Sequence, residues 1–338
     1  MTVSRDPEPL KPKDYASDQE VRWCPGCGDY AIVNAVRTAL ADLRAPRDKT
    51  VFVSGIGCAA RFPYYMSTYG FHTIHGRAPA IATGLKLSNP ELDVWIVSGD
   101  GDALSIGGNH LLHLLRRNVD VQFLLFNNEI YGLTKGQYSP TSREGTSSPS
   151  SPAGSVDHPV HPCVFALGAG GTFVARGVDG QQRILPNVLK RAKRHRGAAF
   201  VEIFQNCIVY NDGVFAEFTE KDVQADRQLH LVHGEPMIFG KDKGIRLNVK
   251  TLTLEVATLG VDGVAEDDLL AHDETNLVLA QMLAAMKPPC FPMALGVLYA
   301  VPQTSFDADV AGRVPRTGGG GIADLNALLR EGHTWKVE

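Results

Sequence analysis

Two short motifs joined by a strand–helix–strand pattern constrain the fold of this chain more than any other feature. Gly99-Asp100-Gly101 follows an apolar run, Val94 to Val97, that is short enough for a buried strand. Asn127-Asn128 ends a second apolar run that begins at Val119, and 25 residues separate Gly101 from Asn127. A stripe of leucines between the runs predicts a helix. Parallel strands would bring both motifs to the carboxyl edge of one sheet, where α/β folds bind ligands.

The residue types at this edge predict a diphosphate held through a metal ion. Asp100 offers a carboxylate oxygen and Asn128 an amide oxygen, and Mg²⁺ takes few protein ligands before phosphate oxygens and water complete its shell. Gly99 and Gly101 allow the backbone to approach phosphate groups closely. Gly-Asp-Gly alone is typical of an ordinary turn with a capping aspartate. The asparagine pair at the end of the next strand favours the metal site.

The paired motif resembles that of thiamine-diphosphate enzymes, and four further stretches narrow the resemblance to the beta subunit of 2-oxoacid:ferredoxin oxidoreductases. These stretches are Trp23–Gly28, Ser54–Cys58, His75–Ala78 and Tyr131–Gln137. The resemblance is strong from Tyr15 to Asn211 and weaker beyond. It implies an α/β fold, a parallel sheet flanked by helices that binds thiamine diphosphate, with a C-terminal extension.

The resemblance also implies a set of cofactor contacts. Mg²⁺ would be held by Asp100, Asn128 and the carbonyl of Ile130. The residues expected at the cofactor are Ile56, Gly57, Cys58, His75, Gly99, Asp100, Gly101, Asp102, Asn128, Ile130, Gly132, Leu133 and Thr134.

Six cysteines in a chain of this kind indicate metal or redox chemistry more than disulfides. Cys24 and Cys27 form a C-x-x-C pair, and Cys58 and Cys207 each follow a predicted strand. Four thiolates at one sheet edge could hold a [4Fe-4S] cluster. From spacing alone, a four-cysteine zinc site, a thioredoxin-like pair and plain core thiols remain alternatives. The resemblance assigns these four cysteines to a [4Fe-4S] cluster, and we expect Cys163 and Cys290 to be buried thiols.

Three further side chains are candidates for the reaction. His75, in a turn before a helix, is a candidate for proton transfer or for orienting the cofactor, the alternative being a capping or core histidine; His72 is less favoured. In the family, basic residues at the positions of Arg61 and Lys135 resemble those of members that accept 2-oxoglutarate, because two cations suit a second carboxylate. Alternatively, Lys135 contacts a phosphate and Arg61 contacts coenzyme A.

Three segments are expected: an N-terminal arm over 1–20, the cofactor and iron–sulfur domain over 21–211, and an extension over 212–338 packed on it. Ser139 to Asp157 predicts a long loop, which near a cofactor is often functional. In the extension we expect a strand from Ile245 to Ala257, a helix from Asp267 to Met286 and a strand from Ala294 to Val301. The glycines of 318–321 predict a joint before a final helix.

The bulk composition excludes some classes of partner. Lys and Arg number 33 against 37 Asp and Glu, and this formal charge of −4 gives no basic excess for nucleic acid. No apolar run has membrane-spanning length, and the polar start has no signal core, so a cytoplasmic location is expected.

The resemblance implies oxidative decarboxylation of a 2-oxoacid with coenzyme A, giving acyl-coenzyme A and CO₂, with ferredoxin as acceptor. It also implies an alpha subunit that carries the pyrimidine half of the site, in an assembly of two alpha and two beta chains. Two alternatives stay open at this point: a cluster-free thiamine-dependent decarboxylase or synthase, and a zinc-stabilised binding subunit without chemistry.

Overall fold

The structure, a computed structural model, describes residues 10–313, 322–332 and 335. In chain order its strands are β1 (Thr50–Ser54), β2 (Tyr69–His72), β3 (Asp93–Gly99), β4 (Gln122–Asn127), β5 (Phe173–Val178), β6 (Ala199–Phe204), β7 (Gln228–His230), β8 (Ile238–Phe239), β9 (Lys243–Asn248), β10 (Thr253–Thr258) and β11 (Met293–Ala300). Its helices are α1 (Asp29–Asp42), α2 (Ala78–Ser88), α3 (Asp100–Leu104), α4 (Gly108–Arg117), α5 (Pro162–Gly168), α6 (Leu185–Arg194), α7 (Ala216–Thr219), α8 (Gln224–Arg227), α9 (Leu277–Ala285), α10 (Phe306–Arg313) and α11 (Ile322–Leu329). None of these described helices is both long enough and apolar enough to cross a membrane.

Eight strands form the central sheet in the order β2-β1-β3-β4-β6-β5-β11-β7. The pairs from β2 to β5 are all parallel, which confirms the predicted α/β architecture. Strand β11 runs antiparallel to β5 and parallel to β7, so the residues after 211 add two strands to this sheet. The predicted domain boundary at 211 stays a prediction.

Helices cover both faces of the sheet, which explains why its central strands are buried on both sides and mostly apolar rather than alternating. Strands β4, β5 and β6 are buried at every position. On one face α1 and α6 pack through residues such as Ile32 and Leu189. On the other face α2, α4, α5 and α9 pack through residues such as Leu111 and Leu283.

Two glycines bring the loop before α2 against the loop between α3 and α4. Gly76 has φ +65°, and a Cβ there would lie 2.4 Å from the backbone nitrogen of Gly107. A Cβ on Gly107 would lie 2.4 Å from the carbonyl oxygen of Asp102. The predicted leucine-rich helix is therefore split into α3 and α4, and the turn that carries His75 lies directly against the break.

Two predictions for the extension are wrong. The strand expected from Ile245 to Ala257 is a hairpin of β9 and β10, because the Asn248 side chain accepts hydrogen bonds from the amides of Lys250 and Thr251 and turns the chain. The helix expected from Asp267 begins only at Leu277. The Asn276 side chain caps it by accepting a hydrogen bond from the Leu279 amide across 3.1 Å. The predicted joint at 318–321 and the first nine residues of the arm lie outside the described residues.

Candidate active site

A cavity of about 590 Å³, here called the motif cavity, lies at the carboxyl ends of β1, β3 and β4. All thirteen residues that the resemblance predicted at the cofactor line it. Sequence reasoning did not single out its further lining residues Asp29, Ala59, Ser105, Ile106, Phe126, Tyr131, Gln137 and Gln205 for a role at the cofactor. The parallel strands thus bring together motifs that lie far apart in the sequence.

Asp100, the first residue of α3, is the buried carboxylate of this cavity, with 2% of its surface exposed. The hydroxyls of Ser139 and Thr141 donate to its Oδ2 across 2.5 and 2.6 Å. Burial raises the pKa of Asp100 to about 6, and the two hydroxyls oppose this rise. No basic side chain of the described residues offsets the burial, so a cation would stabilise the charged form.

Only the second asparagine of the pair faces the motif cavity. Nδ2 of Asn128 donates to the Gln205 side chain across 2.7 Å, and its Oδ1 accepts from the Ile130 amide across 3.2 Å. Asn127 is directed to the other side of β4, where Nδ2 donates to Glu202 across 2.8 Å. Between them and Ile130, Glu129 has φ +54°, so the chain turns sharply after β4.

Asp102 lines the motif cavity, as predicted, but its carboxylate is already occupied by protein donors. Its Oδ1 accepts from the amides of Ile56 and Gly76 across 3.2 and 2.8 Å, and its Oδ2 accepts from the Ser98 hydroxyl across 2.7 Å. A Cβ on Gly55 would lie 1.8 Å from Asp102 Oδ2. Asp102 therefore holds the loop after β1 and the His75 turn in place.

Tyr131 explains why Gly101 must be glycine. Its ring lies where a side chain would project, since a Cβ on Gly101 would be 2.1 Å from the ring carbon Cε1. Its hydroxyl donates to the Gly101 carbonyl across 3.1 Å. Tyr131 stands in one of the family-like motifs, but its contact with Gly101 has no local sequence signal.

The four predicted cluster cysteines line a second cavity of about 240 Å³, here called the cysteine cavity. Cys58, Asn128, Gly132, Leu133 and Gln205 line both cavities, so the two are adjacent. A Cβ on Gly132 would lie 3.5 Å from Cys207 Sγ and 3.6 Å from Cys58 Sγ, which places both sulfurs beside one glycine. Among the described residues, no group of three His, Cys, Asp or Glu side chains is close enough to hold a single metal ion.

Buried polar groups surround these sulfurs. The Trp23 indole donates to the Cys58 carbonyl across 2.8 Å, and Gln205 Nε2 donates to Cys27 Sγ across 3.3 Å. Burial, together with the charge of Asp29, raises the pKa of the Cys58 thiol to about 11. Asp29 is 1% exposed and neither of its carboxylate oxygens has a partner among the described residues.

The other two cysteines differ from each other. Cys163 is fully buried, as predicted, with its thiol 3.1 Å from Glu202 Oε2. The prediction that Cys290 is buried is wrong, because it lies in the exposed turn between α9 and β11.

The three candidate reaction residues lie in different surroundings. His75 lines the motif cavity, is exposed and makes no hydrogen bond to a described residue. Arg61 lines the cysteine cavity and donates from Nη1 to the Arg22 carbonyl across 3.1 Å. Lys135 is exposed with φ +79° and lines neither cavity, although its neighbour Thr134 lines the motif cavity. His72 instead contacts the Ala60 carbonyl through Nδ1 at 2.9 Å.

Comparisons with known proteins show which proteins this chain is similar to. The family model of the thiamine pyrophosphate enzyme, C-terminal TPP binding domain, matches residues 55–203. The 2-oxoglutarate oxidoreductase subunit KorB of Mycobacterium tuberculosis is 47% identical over 98% of this chain and 90% of its own length. The beta subunit of 2-oxoacid:ferredoxin oxidoreductase 1 of Aeropyrum pernix is 47% identical over 60% of this chain and 64% of its own length.

A solved structure is also similar over nearly the whole chain. It is 2-oxoglutarate:ferredoxin oxidoreductase from Magnetococcus marinus with 2-oxoglutarate, coenzyme A and succinyl-CoA bound. The TM-score is 0.76 at 34% identity, covering 96% of this chain and 97% of that one.

Fold and site together define an enzyme subunit with a thiamine-diphosphate-binding domain. The chain belongs to the family of 2-oxoacid:ferredoxin oxidoreductase beta subunits, which confirms the family and the enzyme class that the sequence motifs predicted.

Proposed function

We propose that this subunit binds thiamine diphosphate through Mg²⁺ in the motif cavity and takes part in the oxidative decarboxylation of 2-oxoglutarate with coenzyme A. The observation that carries the proposal is the buried Asp100, which lies beside Gly99 and Gly101 and has no basic partner in the part of the chain that the structure describes. A carboxylate taken out of water needs a positive charge, and Mg²⁺ supplies it.

The oxygen atoms around Asp100 suit that ion. Asp100 would contribute a carboxylate oxygen, Asn128 its amide oxygen and Ile130 its backbone carbonyl. Among the described residues, no backbone amide in a turn or loop donates a hydrogen bond to the Ile130 carbonyl. When bound, thiamine diphosphate supplies the carbanion chemistry that decarboxylates a 2-oxoacid. In this reaction the chain would hold the diphosphate and keep the loops around it in place. It would also present His75 at the cavity for proton transfer or for orienting the cofactor.

We assign a [4Fe-4S] cluster to the cysteine cavity, held by Cys24, Cys27, Cys58 and Cys207. All four line one cavity, and that cavity shares residues with the motif cavity. A cluster there would accept electrons one at a time, which suits ferredoxin as the final acceptor.

The choice of 2-oxoglutarate rests on the relatives and on Arg61 and Lys135. The relatives from Mycobacterium tuberculosis and Magnetococcus marinus carry 2-oxoglutarate in their names. Arg61 lies at the cysteine cavity. Lys135 follows Thr134, which lines the motif cavity, and we propose that Arg61 and Lys135 both bind the second carboxylate of the substrate.

The partner proposed is an alpha subunit that completes the site in a cytoplasmic assembly of two alpha and two beta chains. Thiamine catalysis needs a carboxylic acid against the pyrimidine ring, and the motif cavity contains the diphosphate half. We therefore expect this chain, purified alone and reconstituted with cluster, Mg²⁺ and thiamine diphosphate, to be unable to couple 2-oxoglutarate oxidation to dye reduction. Substantial turnover by the chain alone would show that it contains a pyrimidine site of its own.

An anaerobic absorbance spectrum with iron, zinc and cofactor analysis tests the proposal directly. We expect a brown protein with broad absorbance from sulfur-to-iron charge transfer and bound thiamine diphosphate. A colourless protein with thiamine would favour a cluster-free decarboxylase or synthase, and zinc in the cysteine cavity would overturn the cluster.

A further inference from the structure

Three hydroxyl side chains in the loop after Tyr138 are almost completely buried. Ser139, Thr141 and Ser142 have exposed fractions of 2%, 4% and 3%. Loops usually lie on the surface, and buried hydroxyls need hydrogen-bond partners to offset the cost of burial. Their partners show what the segment 139–142, here called the clamp, does.

The clamp is a tight turn whose sequence explains its shape. The Ser142 amide donates to the Ser139 carbonyl across 3.0 Å, and Pro140 takes the second position, where its fixed φ favours such a turn. The Ser139 amide also donates to the Ser142 hydroxyl across 2.7 Å. The turn therefore presents its hydroxyls in a fixed arrangement.

Two of these hydroxyls donate hydrogen bonds to the same carboxylate oxygen of Asp100. Ser139 and Thr141 both donate to Oδ2, whereas no side chain of the described residues donates to Oδ1. Thr141 also lies 2.9 Å from Asn127 Oδ1, but its one proton goes to the nearer, charged acceptor. With Oδ2 held in this way, Oδ1 is the oxygen left for a metal ion.

The third hydroxyl reaches the other half of the site. Ser142 donates to the Glu129 carbonyl across 2.5 Å, in the turn between Asn128 and Ile130. The clamp thus joins the end of β3 to the chain after β4, the two segments that supply the proposed metal oxygens.

We propose that the clamp is a positioning device for Mg²⁺: Ser139 and Thr141 orient Asp100, and Ser142 sets its distance to the Asn128–Ile130 turn. This inference rests on the proposed magnesium site. The clamp residues act through Asp100 and the Glu129 carbonyl rather than on the substrate.

The test is a Mg²⁺ titration of thiamine diphosphate binding, measured by calorimetry on the metal-depleted complex with its alpha subunit. Thr141→Val keeps the shape and removes the hydroxyl. It should raise the Mg²⁺ concentration for half-saturation about tenfold or more, the size expected for one lost hydrogen bond to a charged group. Thr141→Ser restores the hydroxyl and should stay within about twofold of the unaltered complex.

Ser139→Ala should weaken Mg²⁺ binding in the same way, and its matched control is Ser155→Ala. Ser155 is a buried serine of the same loop, 5% exposed, and donates to the Arg143 carbonyl rather than to Asp100. At saturating Mg²⁺, thiamine diphosphate binding by the Ser139 and Thr141 variants should recover, which a general disruption of the fold would not allow.

Unchanged half-saturation in both clamp variants, or an equal loss in Ser155→Ala, would overturn the inference and leave the magnesium site standing. If Thr141→Val lowers the melting temperature sharply, Ser139→Ala decides alone. Absence of Mg²⁺-dependent thiamine diphosphate binding in the unaltered complex would overturn the proposed function and this inference together.

Discussion

The backbone amide of Gly76 donates a hydrogen bond to Oδ1 of Asp102 across 2.8 Å. This contact joins the turn that carries His75 to the residue directly after the Gly-Asp-Gly motif, 26 residues further along the chain. The same oxygen accepts from the Ile56 amide, so one carboxylate sets the relative position of three segments that line the motif cavity.

Asp102→Ala should destabilise the protein, because it leaves two backbone amides and the Ser98 hydroxyl without their acceptor. We expect a loss of about 1.5–3 kcal/mol in the free energy of unfolding, the range for hydrogen bonds to a charged group. Urea denaturation measures it. Asp267→Ala, which removes an exposed aspartate, is the control, and equal stability of the two variants would contradict the role given to Asp102.

Cys24→Ser, Cys27→Ser, Cys58→Ser and Cys207→Ser should each bleach the iron–sulfur absorbance, because each would remove one of four ligands. Cys290→Ser is the control, since Cys290 is exposed and lies outside the cysteine cavity. Absorbance and iron content per chain are the measurements. A full cluster in the Cys207→Ser protein would remove Cys207 from the ligand set.

Asp100→Ala should abolish thiamine diphosphate binding while the protein remains folded. The charge of the diphosphate would lack its metal. The change also leaves the buried Ser139 and Thr141 hydroxyls without this acceptor, but burial disfavours the charged carboxyl, which offsets part of that cost. Asp100→Asn, which keeps the shape, should lose the cofactor too. The measurement is the amount of thiamine diphosphate that stays bound after gel filtration in millimolar Mg²⁺, and circular dichroism checks the fold. Retained cofactor would contradict the assignment.

The pKa of Asp100 gives Mg²⁺ binding a pH dependence with a defined sign. Its metal-free pKa is raised to about 6, so protons compete with the metal as the pH falls through 6 and do not compete above it. Apparent Mg²⁺ affinity should be constant from pH 7 to 8. It should fall about tenfold for each pH unit below 6, as expected for one competing proton. A flat titration from pH 5 to 8 would contradict this.

Lys135→Ala should weaken the use of 2-oxoglutarate far more than the use of pyruvate, by about ten- to a hundredfold in kcat/KM, because one charge-assisted contact with the second carboxylate is lost. Arg61→Ala should show the same bias. Lys221→Ala, at an exposed lysine outside both cavities, is the control. Equal losses for the two substrates would show that the lysine serves the cofactor or coenzyme A.

The sequence by itself determined the family, the parallel sheet and the motif residues that line the two cavities. Strand period, apolar runs and motif spacing are local properties, and parallel strands bring Cys58, Asp100 and Asn128 to one edge whatever the rest of the chain does. The thirteen predicted cofactor contacts line one cavity for this reason.

Only the tertiary structure decided which acceptor each buried hydrogen-bond donor binds. Ser139 and Thr141 meet Asp100 from 39 and 41 residues away, and nothing in the pattern of a polar loop specifies that acceptor. The same holds for Asp102. The sequence predicts that it contacts the cofactor, but its carboxylate accepts hydrogen bonds from two backbone amides of the protein. Likewise, β11 enters the main sheet beside β5, which its apolar sequence allows but does not require. Local pattern sets which residues are buried, whereas the path of distant segments sets which buried groups become partners.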